Sequence, residues 1–349
     1  MLNKVEKLIQ RQIGLNNVYL SGSGTDGFLQ ILKHLSLNHN DEILIPDFIC
    51  EIIAIPLLNT GIKFQLVDVE KDKFLPNLNS YKNKYNSHTK VILLAYLWGY
   101  VHEDLYDIIQ WAKENKLIII EDIASAYGLE YKGKKLGTLG DYTFGSFGKG
   151  KMISFGKYGF YTIPSEVKFI KRNFSFFSKE VLNYISIIKK IRSIKNSLLK
   201  KYLFLLLAKI HPLYLGYNFH YRKLKSLYQK LLKLSEISYQ RKKNTNFIFK
   251  NIKSTSQIMV YPINNDQKIT TRVCCINKKE DILLILKDNN CWVGSDFRHP
   301  ISKLLNIDTP TNVKSISNQV FNILTEPNNK TLNKTIKIIN NVEAYNEIS

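Results

Sequence analysis

Four apolar runs in the first part of the chain constrain the fold most, because each is apolar at consecutive rather than alternating positions. The runs are Glu42–Pro46, Lys63–Asp68, Val91–Tyr96 and Leu117–Glu121. Strands buried on both faces have this pattern, and such strands belong to mainly parallel sheets. Helical periodicity lies between the runs, for example at Phe28–Leu35 and Leu105–Ala112. The sequence therefore predicts an α/β fold built on a mainly parallel, doubly wound sheet.

The alternation stops near Pro164, where a helical and basic part of the chain begins. Apolar residues recur at helical spacing across Val181–Leu207 and Leu224–Ile237. Residues 165–250 hold 20 Lys and Arg against 3 Glu, so most of the net charge of +21 lies there. Strand-like and helical runs mix again after this segment. We predict a large α/β domain, a basic helical segment linking the domains and a small α+β domain, over 1–164, 165–250 and 251–349.

The basic segment has more than one interpretation. Lysine-rich helices can simply keep an enzyme solvated, but a basic helix with a broad apolar face is also typical of proteins that bind membrane surfaces. We hypothesise a peripheral contact with the inner face of a membrane through residues 176–210. A role in binding nucleic acid is disfavoured, because the charge lies in an apolar-striped segment rather than among exposed aromatic residues.

Features associated with secretion, membrane spanning and metal binding are not visible in the sequence. The amino terminus lacks the pattern of a signal peptide, and no apolar run is long enough to cross a bilayer. The four cysteines show neither metal-binding spacing nor a favourable disulfide pattern. We expect a cytoplasmic protein with reduced thiols and no metal site.

The stretch Ser21–Gly27 precedes an amphipathic helix and is rich in small residues. Unpaired backbone amides and the helix dipole favour a negative charge at such a position, so Ser23 and Thr25 are candidates for holding a phosphate. An ordinary capped loop, in which the hydroxyls satisfy the amides themselves, is the alternative. Neither a Walker A motif nor a dinucleotide-binding glycine pattern is present.

Two acids, Glu121 and Asp122, stand at the carboxyl end of the fourth apolar run. Ligands of open α/β sheets bind at this edge, and an acid buried there needs a partner such as a protonated ring nitrogen. Capping of a following helix by Asp122 explains the position almost equally well.

A loop containing three lysines and several glycines follows at Ser146–Lys157. Together, a phosphate-binding turn, an acid at a strand end and a loop lysine are the groups that pyridoxal phosphate requires. The amine forms a Schiff base, the acid keeps the pyridine nitrogen protonated, and the turn anchors the phosphate.

In these features the chain resembles the DegT/StrS sugar aminotransferases, which are pyridoxal phosphate enzymes of fold type I, the aspartate aminotransferase fold. The matching stretches follow the family order from one end of the chain to the other. They are SGSGT at 21–25, DEILIPDF at 41–48, VDVE at 67–70, YLWG at 96–99, EDIASAYG at 121–128, YKGKKLGTLGDYTFGSF at 131–147 and NILTEP at 322–327.

The resemblance implies specific roles for residues. Family members carry a Ser followed five residues later by the Schiff-base Lys, a pair matched here by Ser146 and Lys151. Asp122 would face the pyridine nitrogen. The residues implied to hold the phosphate are Ser23, Gly24, Thr25 and Ser146.

Three further positions correspond to cofactor-contacting positions of the family. Ser125 stands where family members usually have Gln or His against the cofactor ring. The residue stacked on the other face of the ring would be Cys50, with Phe48 as the alternative. Asn218, in a Gly-Tyr-Asn sequence, would correspond to an Asn that reaches the cofactor phosphate of a neighbouring subunit.

The function implied by the resemblance is transfer of an amino group, with glutamate as the expected donor, to a keto sugar carried by a nucleotide or a lipid, in a homodimer. The products of such enzymes enter amino-sugar and surface-polysaccharide biosynthesis. A dehydratase of the same family is disfavoured because Lys151 is retained where that branch has His. The remaining alternative is a family member that binds the cofactor without transamination and acts as a membrane- or nucleic-acid-associated regulator.

Overall fold

The computed structural model describes residues 1–164, 196–215, 221–254, 258–263, 269–277, 282–294 and 300–341, with a few single residues between 187 and 194. The predicted segments 165–250 and 251–349 both contain residues outside these ranges. The predicted division into 1–164, 165–250 and 251–349 therefore stays a prediction.

The larger part of the described chain is built on a seven-stranded sheet with the strand order β1-β9-β8-β5-β4-β2-β3. Six strands run in one direction, and β9 runs against them between β1 and β8. A short hairpin, β6–β7, follows β5. The strands are β1 Val18–Ser21, β2 Glu42–Pro46, β3 Lys63–Val67, β4 Thr89–Ala95, β5 Ile118–Asp122, β6 Glu130–Tyr131, β7 Lys134–Lys135, β8 Tyr142–Ser146 and β9 Gly159–Thr162.

Helices cover both faces of this sheet, as the unbroken apolar runs predict. Along β4, Ile92 and Leu94 point to one core, and Val91 and Leu93 to the other, so each strand residue is buried on one face or the other. One face is covered by α1 Leu2–Ile13, α5 Leu105–Glu114 and α7 Leu224–Leu232, and the opposite face by α2 Gly24–Leu35, α3 Ala54–Thr60, α6 Ser197–Leu215 and α10 Ile301–Leu305. A short helix, α4 Leu78–Lys82, precedes β4. The predicted fold class is confirmed.

A second, antiparallel sheet of four strands has the order β10-β11-β13-β12. Its strands are β10 Ile258–Val260, β11 Arg272–Asn277, β12 Val293–Gly294 and β13 Val320–Leu324. The associated helices are α8 Leu234–Asn251, α9 Ile282–Asp288, α11 Thr311–Gln319 and α12 Leu332–Asn340. Apolar residues of α8, α9 and α12 form a separate core with this sheet.

The described helices differ from the predicted ones in two places. Within the described part of Val181–Leu207, residues Ile194 and Asn196 are not helical, and α6 begins at Ser197. The side chain of Asn196 accepts a hydrogen bond from the amide of Leu199 at 2.9 Å, which starts a new helix there. The predicted helix Leu224–Ile237 is also divided, because Lys233 adopts a ψ of 12° between α7 and α8.

Among the described residues, none of the helices combines the length and the apolar character needed to cross a membrane.

Candidate active site

The carboxyl ends of three parallel strands bring distant parts of the sequence to one edge of the large sheet. β1, β5 and β8 end at Ser21, Asp122 and Ser146. Gly159, the first residue of β9, pairs with both Ser21 and Ser146. Parallel strands necessarily present their carboxyl ends on the same side, and this is the side where ligands of open α/β sheets bind.

The N-terminus of α2 lies at this edge and is arranged to receive an anion. Ser23 is the N-cap, and its hydroxyl oxygen accepts a hydrogen bond from the amide of Asp26 at 3.1 Å. The amides of Gly24 and Thr25, at the first two helical positions, have no acceptor among the described residues. They supply unpaired donors at the positive end of the helix dipole. Capping by Ser23 and an anion on the amides of Gly24 and Thr25 are therefore compatible.

The space beside these amides depends on the absence of side chains. A β-carbon at Gly24 would come within 2.9 Å of the β-carbon of Ser146. The hydroxyl of Ser146 accepts a hydrogen bond from the amide of Gly148 at 3.1 Å and can still donate one. We call the group Ser23, Gly24, Thr25 and Ser146 the phosphate cradle, because its free amides, hydroxyls and Cβ-free space fit a phosphate.

The two acids at the end of β5 have different surroundings because successive strand residues point to opposite faces. Glu121 is fully buried and accepts hydrogen bonds from the hydroxyl of Tyr96 and the amides of Gly137, Leu139 and Gly140, so it holds the 137–140 turn. Asp122 accepts a hydrogen bond from the amide of Ala124 at 2.8 Å. Residues 124–128 form a turn rather than a helix, so Asp122 stabilises that turn and is not a helix cap.

Asp122 lies on the side of the sheet that faces Lys151. Burial raises the pKa of the Asp122 carboxyl, and the positive charge of Lys151 opposes that rise. A second cation near this carboxyl would lower its pKa further, so Asp122 is suited to pair with a protonated ring nitrogen.

Lys151 occupies a loop between β8 and β9, and its amine points toward the strand edge. Nζ donates a hydrogen bond to the hydroxyl of Ser125 at 3.3 Å. A β-carbon placed on Gly148 would lie 3.3 Å from Oγ of Ser146 and 3.9 Å from Cγ of Lys151. The lysine side chain is therefore adjacent both to the phosphate cradle and to Ser125.

Of the two residues predicted as ring-stacking candidates, Cys50 is the more accessible. Phe48 is 1% exposed and packs edge-on against the ring of Trp98, with the two centroids 6.2 Å apart. Cys50 is partly exposed at the start of the short 3-10 helix Glu51–Ile53, and its charge interaction with Arg272 places it beside the cleft described next. This arrangement favours Cys50 for a contact with a ligand.

A cleft of about 460 Å³ opens between the lysine loop and the antiparallel sheet. Its walls include Lys149, Gly150, Arg272, Trp292 and Glu326. Burial lowers the pKa of Arg272 to about 10, so its guanidinium remains charged at neutral pH. The cleft thus combines an aromatic surface with charges of both signs next to Lys151.

Most of the predicted residues fall into two neighbouring groups, Cys50 lies beside the cleft, and one residue is outside the described ranges. Ser23, Gly24, Thr25 and Ser146 form the cradle, and Asp122, Ser125 and Lys151 lie beside it. Asn218 lies outside the described residues.

Sequence reasoning missed three residues at this site: Gly159, Arg241 and Arg272. Arg241 carried a usable signal, because it falls between Ile237 and Thr245 on the buried stripe of α8, where a cation is unusual. Gly159 and Arg272 offered no comparable pattern.

Similar proteins share this architecture and part of this sequence. GDP-perosamine synthase of Escherichia coli O157:H7 is 30% identical over 162 residues, which is 45% of this chain and 44% of that protein. The crystal structure of the aminotransferase TlmJ from Streptoalloteichus hindustanus superposes with a TM-score of 0.74 at 14% identity, covering 99% of this chain and 91% of TlmJ. NtdA from Bacillus subtilis, solved with bound cofactor PMP, gives a TM-score of 0.70 at 19% identity, covering 96% and 77%.

The sequence similarity covers a smaller part of the chain than the structural similarity does. The chain spans less than half the length of the curated relatives it matches. The structural similarities extend over nearly the whole chain and establish the fold. The model of the DegT/DnrJ/EryC1/StrS aminotransferase family matches residues 1–304, which is most of the chain. By this match the chain belongs to the DegT/DnrJ/EryC1/StrS aminotransferase family.

Proposed function

We propose that this protein is a pyridoxal-phosphate-dependent aminotransferase that moves an amino group from glutamate to a keto sugar linked to a nucleotide or a lipid. The observation that carries the proposal is the position of Lys151, whose side chain lies beside the phosphate cradle and whose charge acts on Asp122. The relative named GDP-perosamine synthase and the neighbour solved with PMP support the substrate class and the cofactor respectively. Amino-sugar biosynthesis for surface polysaccharides is the process such a reaction would serve.

The residues of the site divide the work of holding the cofactor. The amides of Gly24 and Thr25 and the hydroxyls of Ser23 and Ser146 would bind the phosphate, and Asp122 would pair with the ring nitrogen. Cys50 and Ser125 would contact the ring, although both are smaller than the aromatic and the Gln or His found in relatives. Bound pyridoxal phosphate would supply an aldehyde for the lysine amine and an electron sink for the substrate carbon.

Lys151 has two functions in this proposal. Its Nζ first acts as the nucleophile that holds the cofactor, and after displacement by the donor amine it becomes a base. As a base, Nζ would take the proton from the donor α-carbon, and as an acid it would deliver that proton to the carbon that carried the cofactor aldehyde. The hydroxyl of Ser125, which accepts a hydrogen bond from Nζ, keeps the amine on the side of Asp122.

The protein as purified tests this proposal through its visible absorbance. We expect a yellow protein, or one that turns yellow on addition of pyridoxal phosphate, because Lys151 captures the aldehyde. Excess glutamate should bleach the band, because the amino group is transferred to the cofactor. A protein that gains no band would contradict the proposal, and a band that glutamate does not bleach would favour the alternative of a cofactor-binding regulator.

Four further features are proposed without a direct contact to support them. These are assembly as a homodimer, the cytoplasmic location, the division into the three segments given above, and delivery of Asn218 to a neighbouring active site. Size-exclusion chromatography with light scattering tests the dimer, and a monomeric active enzyme would contradict it.

We also propose a peripheral membrane contact, and α6 supports it. This helix buries Phe204 and Leu207 against the large sheet, while its other face leaves large apolar side chains in solvent. The exposed fractions are 68% for Leu198, 48% for Leu199, 65% for Tyr202 and 47% for Leu206. Lys209 lies on this face and Lys201 flanks it, so the face is complementary to an anionic lipid surface.

Vesicle flotation tests the membrane contact. The wild type is expected to float with vesicles containing phosphatidylserine, and the double variant Leu198→Glu, Tyr202→Glu to stay in solution, because two carboxylates would replace the apolar contacts. The matched control is Leu232→Glu, Tyr239→Glu, which changes two equally exposed side chains on α7 and α8. Equal flotation of both double variants would contradict the proposal.

A further inference from the structure

Arg241 is a buried cation that the chemistry described so far does not use. Its side chain lies on α8 and is 1% exposed. Burial lowers the pKa of the guanidinium to about 10, so the group is charged at neutral pH. Within the described part of the chain it forms no ion pair with a carboxylate. A charge buried in this way is costly unless its hydrogen bonds accomplish something that an apolar side chain cannot.

The guanidinium donates to three uncharged acceptors on different segments. Nη2 donates to the backbone carbonyl of Lys151 at 2.8 Å. Nη1 donates to the backbone carbonyl of Thr271 and to the hydroxyl of Thr325, both at 3.2 Å. Arg241 thus joins the backbone of the candidate catalytic lysine to the ends of β11 and β13, in the second sheet.

Thr271 and Thr325, the acceptors of Arg241 beside the second sheet, are themselves held by hydrogen bonds. The amide of Thr325 donates to the carbonyl of Thr271 at 3.2 Å, and its hydroxyl donates to the carbonyl of Thr270 at 2.5 Å. The amide and hydroxyl of Thr271 both donate to the carbonyl of Trp98, at 2.8 and 2.9 Å. These bonds tie the acceptors of Arg241 to the segment that follows β4 in the large sheet.

The lysine loop itself has little regular structure to fix Lys151. The amide of Lys151 makes only a long bond of 3.3 Å to the carbonyl of Gly148. Firmer loop contacts lie at Phe155 and Gly156, whose amides donate to the carbonyl of Phe147 at 2.9 and 2.8 Å. The hydrogen bond from Arg241 is therefore shorter than the bond made by the Lys151 amide, and it is made to the backbone of the residue that carries the reacting side chain.

We propose that Arg241 is a positioning residue for Lys151: it fixes the lysine backbone against the second sheet so that Nζ reaches Ser125 and the ligand beside the phosphate cradle. The inference rests on the proposed function for the identity of the ligand. The restraint on Lys151 does not depend on the proposed function, because it is a property of the protein alone.

The first measurement is the rate at which the apo protein captures pyridoxal phosphate, followed by the visible band at increasing cofactor concentrations. For Arg241→Gln we expect the saturating rate to fall by about tenfold to a hundredfold, because Nζ is no longer held in the attacking position. The half-saturating concentration should stay unchanged, because the phosphate cradle is untouched. If Arg241 had a purely structural role, its replacement would not lower the saturating rate while leaving the half-saturating concentration unchanged.

Asn244→Ala is the matched control. Asn244 lies about one turn further along α8, and its side-chain amide donates to the backbone carbonyls of Thr325 and Glu326 at 3.2 and 2.9 Å. The substitution weakens the attachment of the same helix to the same strand end without contacting Lys151. We expect its saturating rate to stay within about twofold of wild type, and equal losses in Arg241→Gln and Asn244→Ala would overturn the proposal.

A second measurement covers the cases in which Arg241→Gln does not fold or no variant captures the cofactor. Arg241→Lys keeps the charge but cannot bond to all three acceptors, so the loop should loosen. Limited trypsin digestion of the apo protein, followed by mass spectrometry, should then show cleavage after Lys149 and Lys151 at least about tenfold faster than in wild type and Asn244→Ala. If folded Arg241→Lys were cleaved at the same rate as wild type, the proposal would be overturned. If no protein showed the visible band, that result would count against the proposed function alone.

Discussion

Lys151→Ala is expected to abolish transamination, because it removes both the proposed nucleophile that holds the cofactor and the proposed base that moves the proton. General acid-base catalysis alone contributes about 10²–10⁴-fold, so the loss in kcat should be at least of that size. The variant should also lack the visible band of covalently bound pyridoxal phosphate. Absorbance spectra and a coupled assay of 2-oxoglutarate formation from glutamate measure the two effects.

Lys157→Ala supplies the control for this experiment. Lys157 belongs to the same glycine-rich loop and is partly buried, and burial together with the neighbouring Lys223 lowers its pKa. Among the described contacts, none joins Lys157 to Asp122, Ser125 or the phosphate cradle, so its replacement should leave the band and the turnover in place. Turnover retained by Lys151→Ala and lost by Lys157→Ala would show that the reactive lysine was assigned wrongly.

Gly159→Ala is expected to cost the folded protein about 3 kcal/mol or more and to prevent cofactor capture. An added β-carbon would overlap the amide nitrogen of Gly24 and the carbonyl carbon of Ser23, and it would lie 2.6 Å from the carbonyl oxygen of Gly145. All three atoms belong to backbone held by the sheet or by the start of α2, so they cannot rotate away. The overlap would displace the phosphate cradle from β8 and β9.

Urea unfolding and the visible band together measure the effect of Gly159→Ala. Gly133→Ala is the control, because Gly133 has a φ of +73° and no atom within 4 Å of an added β-carbon. Its cost is that of the backbone conformation alone, about 1–2 kcal/mol, and its band should be normal. If Gly159→Ala were no less stable than Gly133→Ala, the described approach of β9 to the cradle would be incorrect.

The parallel sheet was predictable because its signal is local. Each central strand, such as β2 or β4, is a short apolar run. Such a run predicts a strand that is buried on both faces, whatever the rest of the chain contains. The edge at which ligands bind follows from the parallel arrangement, and this is why Asp122 and the start of α2 could be named as candidates. The family resemblance singled out Asp122, but the residue pattern alone could not separate the roles of Glu121 and Asp122, since that requires knowing which face of β5 meets the 137–140 turn.

The parts that were not predictable depend on contacts between segments far apart in sequence. Strand β9 is only four residues long, and nothing in its sequence places it between β1 and β8. The position of Arg241 on the buried stripe of α8 marks it as unusual, but its contact with the backbone of Lys151 is visible only in the structure. The break before α6 depends on a single side-chain cap at Asn196, which competes with apolar periodicity that would otherwise continue the helix.

Strand β9, the one antiparallel strand of the seven-stranded sheet, also determines at what stage of folding the site forms. Among the described strands β1 pairs only with β9, and β9 reaches the rest of the sheet through β8. Until β9 inserts between β1 and β8, no strand joins the two halves of the cradle, at Ser23 and Ser146. Such long-range closure is slow compared with the formation of local helices. Competence to bind the cofactor should accordingly appear late in refolding, after most secondary structure has formed, which makes the visible band a reporter of the completed sheet.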